Sequence, residues 1–157
     1  MTPQAVGSGI AGAALLGGGG TLAAYAAGAF DKPTFGSWSK KDDSTKDKTY
    51  IGNNEAKIKA LLGSTSTYKN SLKGVWDNME DIPNTTPAKP TGAANTLFVE
   101  SMDDNKKNSV SAYVRKWCEH TYRQELKEVP KQESDLNKNK WDAFKDACFE
   151  LKQASNA

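Results

Sequence analysis

No charged side chain occurs between Met1 and Phe30; every Lys, Arg, Asp and Glu of the 157 residues lies from Asp31 onward. This asymmetry divides the chain into parts that prefer different surroundings. The uncharged run from Ala5 to Phe30 is longer than the roughly 20 residues a helix needs to cross the hydrocarbon core. Its polar side chains are few: Ser8, Thr21 and the Tyr25 hydroxyl. The candidate membrane-anchoring side chains are Ile10, Leu15, Leu16, Leu22, Tyr25 and Phe30, with Val6 beside them. Gly17 to Gly20 interrupt them, and glycine is a poor helix former. Small residues repeat every fourth position in two rows, Gly9–Ala13–Gly17 and Gly20–Ala24–Gly28. Such rows let helices approach closely in a bilayer, although a Gly/Ala-rich segment also produces them by chance.

Three readings of this segment compete. An uncleaved signal-anchor is the expected one. A cleaved signal peptide would use Ala27-Gly28-Ala29 as its small-x-small site, but no Lys or Arg precedes the apolar run. A flexible soluble tail would carry more Ser and fewer Leu, Ile and Tyr. A phosphate-binding loop is excluded, because Thr21-Leu22 follows Gly20 and the first lysine is Lys32.

The remainder carries nearly balanced charge. The net value is +2, and Lys40-Lys41 is followed at once by Asp42-Asp43. Nucleic-acid binding needs a concentrated basic face, so no nucleic-acid partner is expected. Residues 31–49 read as a polar flexible linker, in which Phe35 and Trp38 either dock at the membrane interface or cap the following domain.

Residues 50–157 read as a helical domain. Ile51, Ile58, Leu61 and Leu62 share one face of a first helix. Tyr68, Leu72, Val75, Trp76 and Met79 form the stripe of a second, with Ser64 or Ser66 as its cap. Pro83, Pro87 and Pro90 make 81–95 a Pro-rich loop. A third helix from about Asn105 to Glu128 carries Val110, Val114, Trp117, Cys118, Thr121 and Leu126, capped by Asp103 or Asp104. A fourth, from about Ser134, carries Trp141, Phe144, Ala147, Cys148 and Leu151. The fold expected is all-α: a small bundle of three to four helices after the Gly/Ala-rich transmembrane or signal-anchor helix and the linker.

Cys118 and Cys148 fall on the apolar stripes of the two last helices. A disulfide between them is expected, with two buried free thiols as the alternative. Two cysteines and one histidine are too few for a usual structural zinc site. A Cys-His enzyme is disfavoured, since Cys118 and His120 are two apart on a helix and do not face each other. Asp103-Asp104-Asn105 lacks the spacing of a calcium loop, and Asn84-Thr85-Thr86 is a short sequon match. No catalytic residue, cofactor or metal is expected.

Gly7 to Phe30, Val114-Arg115-Lys116-Trp117-Cys118 and Ala147-Cys148 together resemble the lineage-specific paralogous surface and membrane proteins of haemotropic mycoplasmas. The N-terminus departs from that pattern in lacking an early lysine. The resemblance implies surface display, contact with a host or self protein, antigenic variation and no cofactor. The partners expected are therefore the lipid bilayer and a protein. The location expected is the cell membrane with the C-terminal domain extracellular, or else secretion. Lys32, Lys40 and Lys41 argue for the opposite orientation under the positive-inside rule.

Overall fold

The long helix Asp104–Arg123 organises the domain. Its N-cap is Asp103, whose side chain accepts a hydrogen bond from the Lys106 amide at 2.8 Å, satisfying one of the amides a helix start leaves unpaired. Asp104 in the first turn and Arg123 in the last complement the helix dipole. Residues at three- and four-residue steps, Val110, Tyr113, Val114, Trp117, Cys118 and Thr121, are buried. The structure is a computed structural model that describes residues 32–63, 67–83 and 86–151.

Among these residues the order is α1 (Phe35–Ser39), β1 (Lys48–Tyr50), α2 (Glu55–Leu62), α3 (Thr67–Val75), a 3-10 turn (Trp76–Asn78), α4 (Ala94–Leu97), α5 (Asp104–Arg123), α6 (Lys138–Ala147) and β2 (Phe149–Leu151). The four helices expected from the stripes are α2, α3, α5 and α6. The fold is mostly helical rather than all-α, because β1 and β2 pair antiparallel with Tyr50 opposite Phe149 and Lys48 opposite Leu151. α5 packs on α2 and α1, while α6 packs on α3. The expected anchor side chains Ile10, Leu15, Leu16, Leu22, Tyr25 and Phe30 lie outside the described residues, as do Ser64, Ser66 and the Asn84-Thr85 part of the sequon. No helix among the described residues is long and apolar enough to cross a membrane.

The stretch 31–49 is not a plain linker. The compact unit holding the helices begins at Thr34. Thr34 and Ser37 form a reciprocal capping box at the start of α1. Phe35 is buried, and the Trp38 indole N–H donates to the Leu126 carbonyl at 2.7 Å. Of the two roles open to these aromatics, capping the domain is the one they fill. The mixed charges that suggested a linker sit after this helix, where Asp42, Ser44 and Thr45 make a turn leading into β1.

α1 also explains why α5 stops at Arg123 and not near Glu128. The Phe35 amide donates to the Gln124 carbonyl at 3.1 Å, and Thr34 bridges Glu125. Gln124 is already extended, with φ −67° and ψ 143°. A close approach seals this corner: a Cβ built on Gly36 would stand 2.1–2.3 Å from the Tyr122 ring. Gly36→Ala is therefore expected to push α1 off α5 at a cost of roughly 1–3 kcal/mol, the usual range for overpacking. Urea denaturation followed by tryptophan fluorescence measures it; an unchanged midpoint would contradict the packing.

α6 begins at Lys138, later than expected. Ser134 is not its cap; Asn137, in the left-handed region at φ 72°, holds that position. The helix ends at Ala147 because the Cys148 carbonyl turns away to accept from the Ile51 amide at 2.8 Å. Leu151 is consequently on a strand and 65% exposed, not on the helix stripe.

Phe144 is the hub of the aromatic core. Its ring lies 5.6 Å from Phe35, 6.3 Å from Tyr122, 5.8 Å from Trp141 and 5.4 Å from Phe149, distances at which tilted and edge-to-face pairs are favourable. A second centre holds the Pro-rich loop: Trp76 packs against Phe98 and Tyr113. Lys89 reaches over the Trp76 indole and donates to the carbonyls of Trp76 and Met79 at 2.8 and 2.7 Å.

Candidate functional site: the cleft beside the C-terminal strand

The disulfide is where the stripes put it. Cys118 on α5 and Cys148 after α6 are bonded, with Cα atoms 5.6 Å apart. Both residues are fully buried. The bond fastens the C-terminal end of α6 to α5 and holds β2 beside β1. It also consumes both thiols, so neither cysteine is a nucleophile while the bond stands. His120, the chain's one histidine, is exposed on α5 and lies 2.9 Å from the Gln124 amide nitrogen. Partial burial, with Lys140 and Arg123 nearby, depresses its pKa.

A cleft of about 270 Å³ opens next to this staple, between β2, α3 and the end of α6. Phe149, Leu151 and Leu61 supply its apolar surface, and Asp146, Glu150 and Lys48 its charges. Five separate elements contribute, Leu61 coming from the last turn of α2. β1 brings Lys48 and β2 brings Glu150, while the last turn of α6 brings Asp146. Tyr68 of α3 forms a wall, and its buried hydroxyl donates to the Ala147 carbonyl at 2.6 Å. Burial pushes this phenol well above its ordinary value, so it stays a neutral tie between α3 and α6. Glu150 pairs with Lys57 at 3.2 Å.

Asp146 is the unusual group. Its carboxylate is 3.8 Å from the Lys48 ammonium, yet burial raises its pKa and outweighs the attraction of Lys48 and Lys145. A raised folded-state pKa makes the folded state bind more protons than the unfolded one in the window above 3.8, so stability falls as pH rises through it. Asp146→Asn is therefore expected to raise stability slightly at pH 7; the Asp146 side chain is 39% exposed, so solvent screening holds the gain to roughly a few tenths of a kcal/mol. The gain should vanish near pH 3, where both states carry a neutral acid. Paired urea melts at the two pH values check this; a variant less stable at pH 7 would reverse the sign.

The cleft offers carboxylates and hydroxyls over an apolar floor, a surface suited to binding. Its volume lies just under the range of small-molecule pockets. The serine and threonine at its edge, Ser71 and Thr67, have no histidine among the lining residues. Among the described residues, no group of three or more His, Cys, Asp and Glu is placed to hold a metal ion.

Sequence reasoning found the cysteine pair and missed the cleft. Lys48, Tyr68 and the neighbouring Asp146 and Phe149 come from three distant stretches of the chain, and no local spacing links those stretches. No family model, no curated protein and no solved structure matches this chain.

Proposed function

We propose that the chain is a membrane-tethered surface protein whose helical domain binds a partner protein and carries out no chemistry. The disulfide between Cys118 and Cys148 carries this reading. Disulfides persist in oxidising surroundings and are rare in the cytosol, so the bond favours the outer side of a membrane for the domain. The uncharged run up to Phe30 supplies the tether. The lysines after it argue the other way, and the carboxylates interleaved with them do not offset them under that rule, but a stable disulfide is the stronger constraint.

The partner's contact surface in this reading is the cleft at β2. Leu151 and Phe149 take an apolar side chain in this reading, and the ion pairs Asp146–Lys48 and Glu150–Lys57 give it polar neighbours. The likeness of Val114 to Cys118 and of Ala147-Cys148 to the paralogous proteins of haemotropic mycoplasmas agrees with display of this kind, toward a host or a second cell.

Protease added to intact cells expressing the full chain tests the reading. Loss of the domain without lysis is the expected result. Complete protection until the cells are opened would overturn it.

A further inference from the structure

We propose that the partner's segment enters the cleft as an extended strand and pairs with the free edge of β2. The proposal rests on the cleft reading above and names the conformation and side-chain pattern of what fills it. The register of the two strands carries it. Tyr50 faces Phe149, Thr49 faces Glu150 and Lys48 faces Leu151. The Ile51 amide donates to the Cys148 carbonyl, so the positions bonded across this ladder are Ile51–Cys148 and, two residues on, Thr49–Glu150. Antiparallel pairs alternate between bonded and non-bonded. Phe149 and Leu151 are therefore of the non-bonded kind, and their N–H and C=O groups point away from β1. Among the described residues, no hydrogen bond meets these groups on that side.

The cleft lies along this edge. Phe149, Glu150 and Leu151 all line it, while Thr49 and Tyr50 of β1 do not. Successive side chains of a strand point to opposite faces, so a cleft touched by three in a row runs beside the strand and not over one face. A free row of main-chain donors and acceptors is met by the same groups on the occupant, and an extended backbone supplies them.

Alternation also sets the occupant's side chains. The positions opposite Phe149 and Leu151 share the face of those two side chains and are apolar. The position between them turns to the face of Glu150, whose carboxylate is held by Lys57 at 3.2 Å, and is polar. A second copy of β2 fails this pattern. The antiparallel register that bonds Phe149 to Leu151 in both directions sets Glu150 against Glu150, and like charges directly opposite repel. The occupant is thus a segment of another protein with an apolar–polar–apolar centre.

The test pans a displayed library of random nonapeptides against the full, oxidised chain in dodecylmaltoside micelles. Peptides that lose binding when Ser71→Arg fills the cleft are resynthesised with one N-methyl group at each amide in turn. Binding should fall about tenfold at every second amide, as one lost hydrogen bond requires, and change little between. Leu151→Pro removes an outward donor and spares the ladder with β1. It should likewise weaken binding about tenfold, well beyond Leu151→Ala, with a urea midpoint close to that of the alanine variant. Cleft-bound peptides with no two-residue period, or ones that tolerate Leu151→Pro, overturn the strand pairing and leave the cleft reading in place. A library with no peptide sensitive to Ser71→Arg removes the cleft reading and the pairing with it. A dimer in the micelles that Leu151→Pro returns to monomer gives the edge to a second copy and equally overturns the proposal.

Discussion

Alanine at Phe144 is expected to destabilise the domain by about 3–5 kcal/mol, the range for removing a fully buried phenylalanine. Phe144 is 0% exposed and its ring touches partners on α1, α5, α6 and β2. No single neighbour can collapse into the space, because each is held from another direction. Phe35 is fixed by the capping box, and Phe149 by its pairing with Tyr50. A domain of this size has on the order of 5–15 kcal/mol in total, so the variant should keep only a fraction of its stability. Near-ultraviolet circular dichroism during a urea titration reads the loss. A change under 1 kcal/mol would mean that the four-element hub does not exist.

The second large effect is loss of the staple. The cysteines are 30 residues apart in sequence, and releasing a loop of that length costs about 3–4 kcal/mol in the chain-entropy account. For a domain of roughly a hundred residues that corresponds to a fall in Tm of about 10–20 °C. Cys148→Ser should show this fall, and the unsubstituted protein should show a similar one when reduced. Reductant should not move the variant further. A variant melting with the oxidised protein, or a reductant effect that persists in Cys148→Ser, would contradict the bond's role.

The parts of the fold legible in the sequence are those written in short-range periodicity. Val110, Val114, Trp117 and Cys118 on one helix and Trp141, Phe144 and Ala147 on the next announce their buried faces within a few turns. Their facing geometry is enough to foresee the cysteine pair. What periodicity does not carry is pairing at long range. Lys48–Tyr50 and Phe149–Leu151 meet across about a hundred residues, and neither is long enough to alternate visibly. Leu151 continues a helical stripe on paper, yet the Ile51 amide takes the Cys148 carbonyl and the helix ends first.

α1 was hidden by averaging. Across residues 31–49 the charges outweigh the apolar residues, so Phe35 and Trp38 look isolated. Their three-residue spacing behind Thr34 was the signal available, since it sets Phe35 against Trp141 of α6 and brings the Trp38 indole to the Leu126 carbonyl once the capping box forms. The cleft had no comparable signal, because its charges become neighbours only after β1 and β2 pair.

The central claim is that this helical domain is held at a bilayer by the uncharged residues before it. Alkaline carbonate extraction of membranes from cells expressing the full chain tests that most directly. The protein should stay with the sedimented membranes; its release into the supernatant would contradict the account.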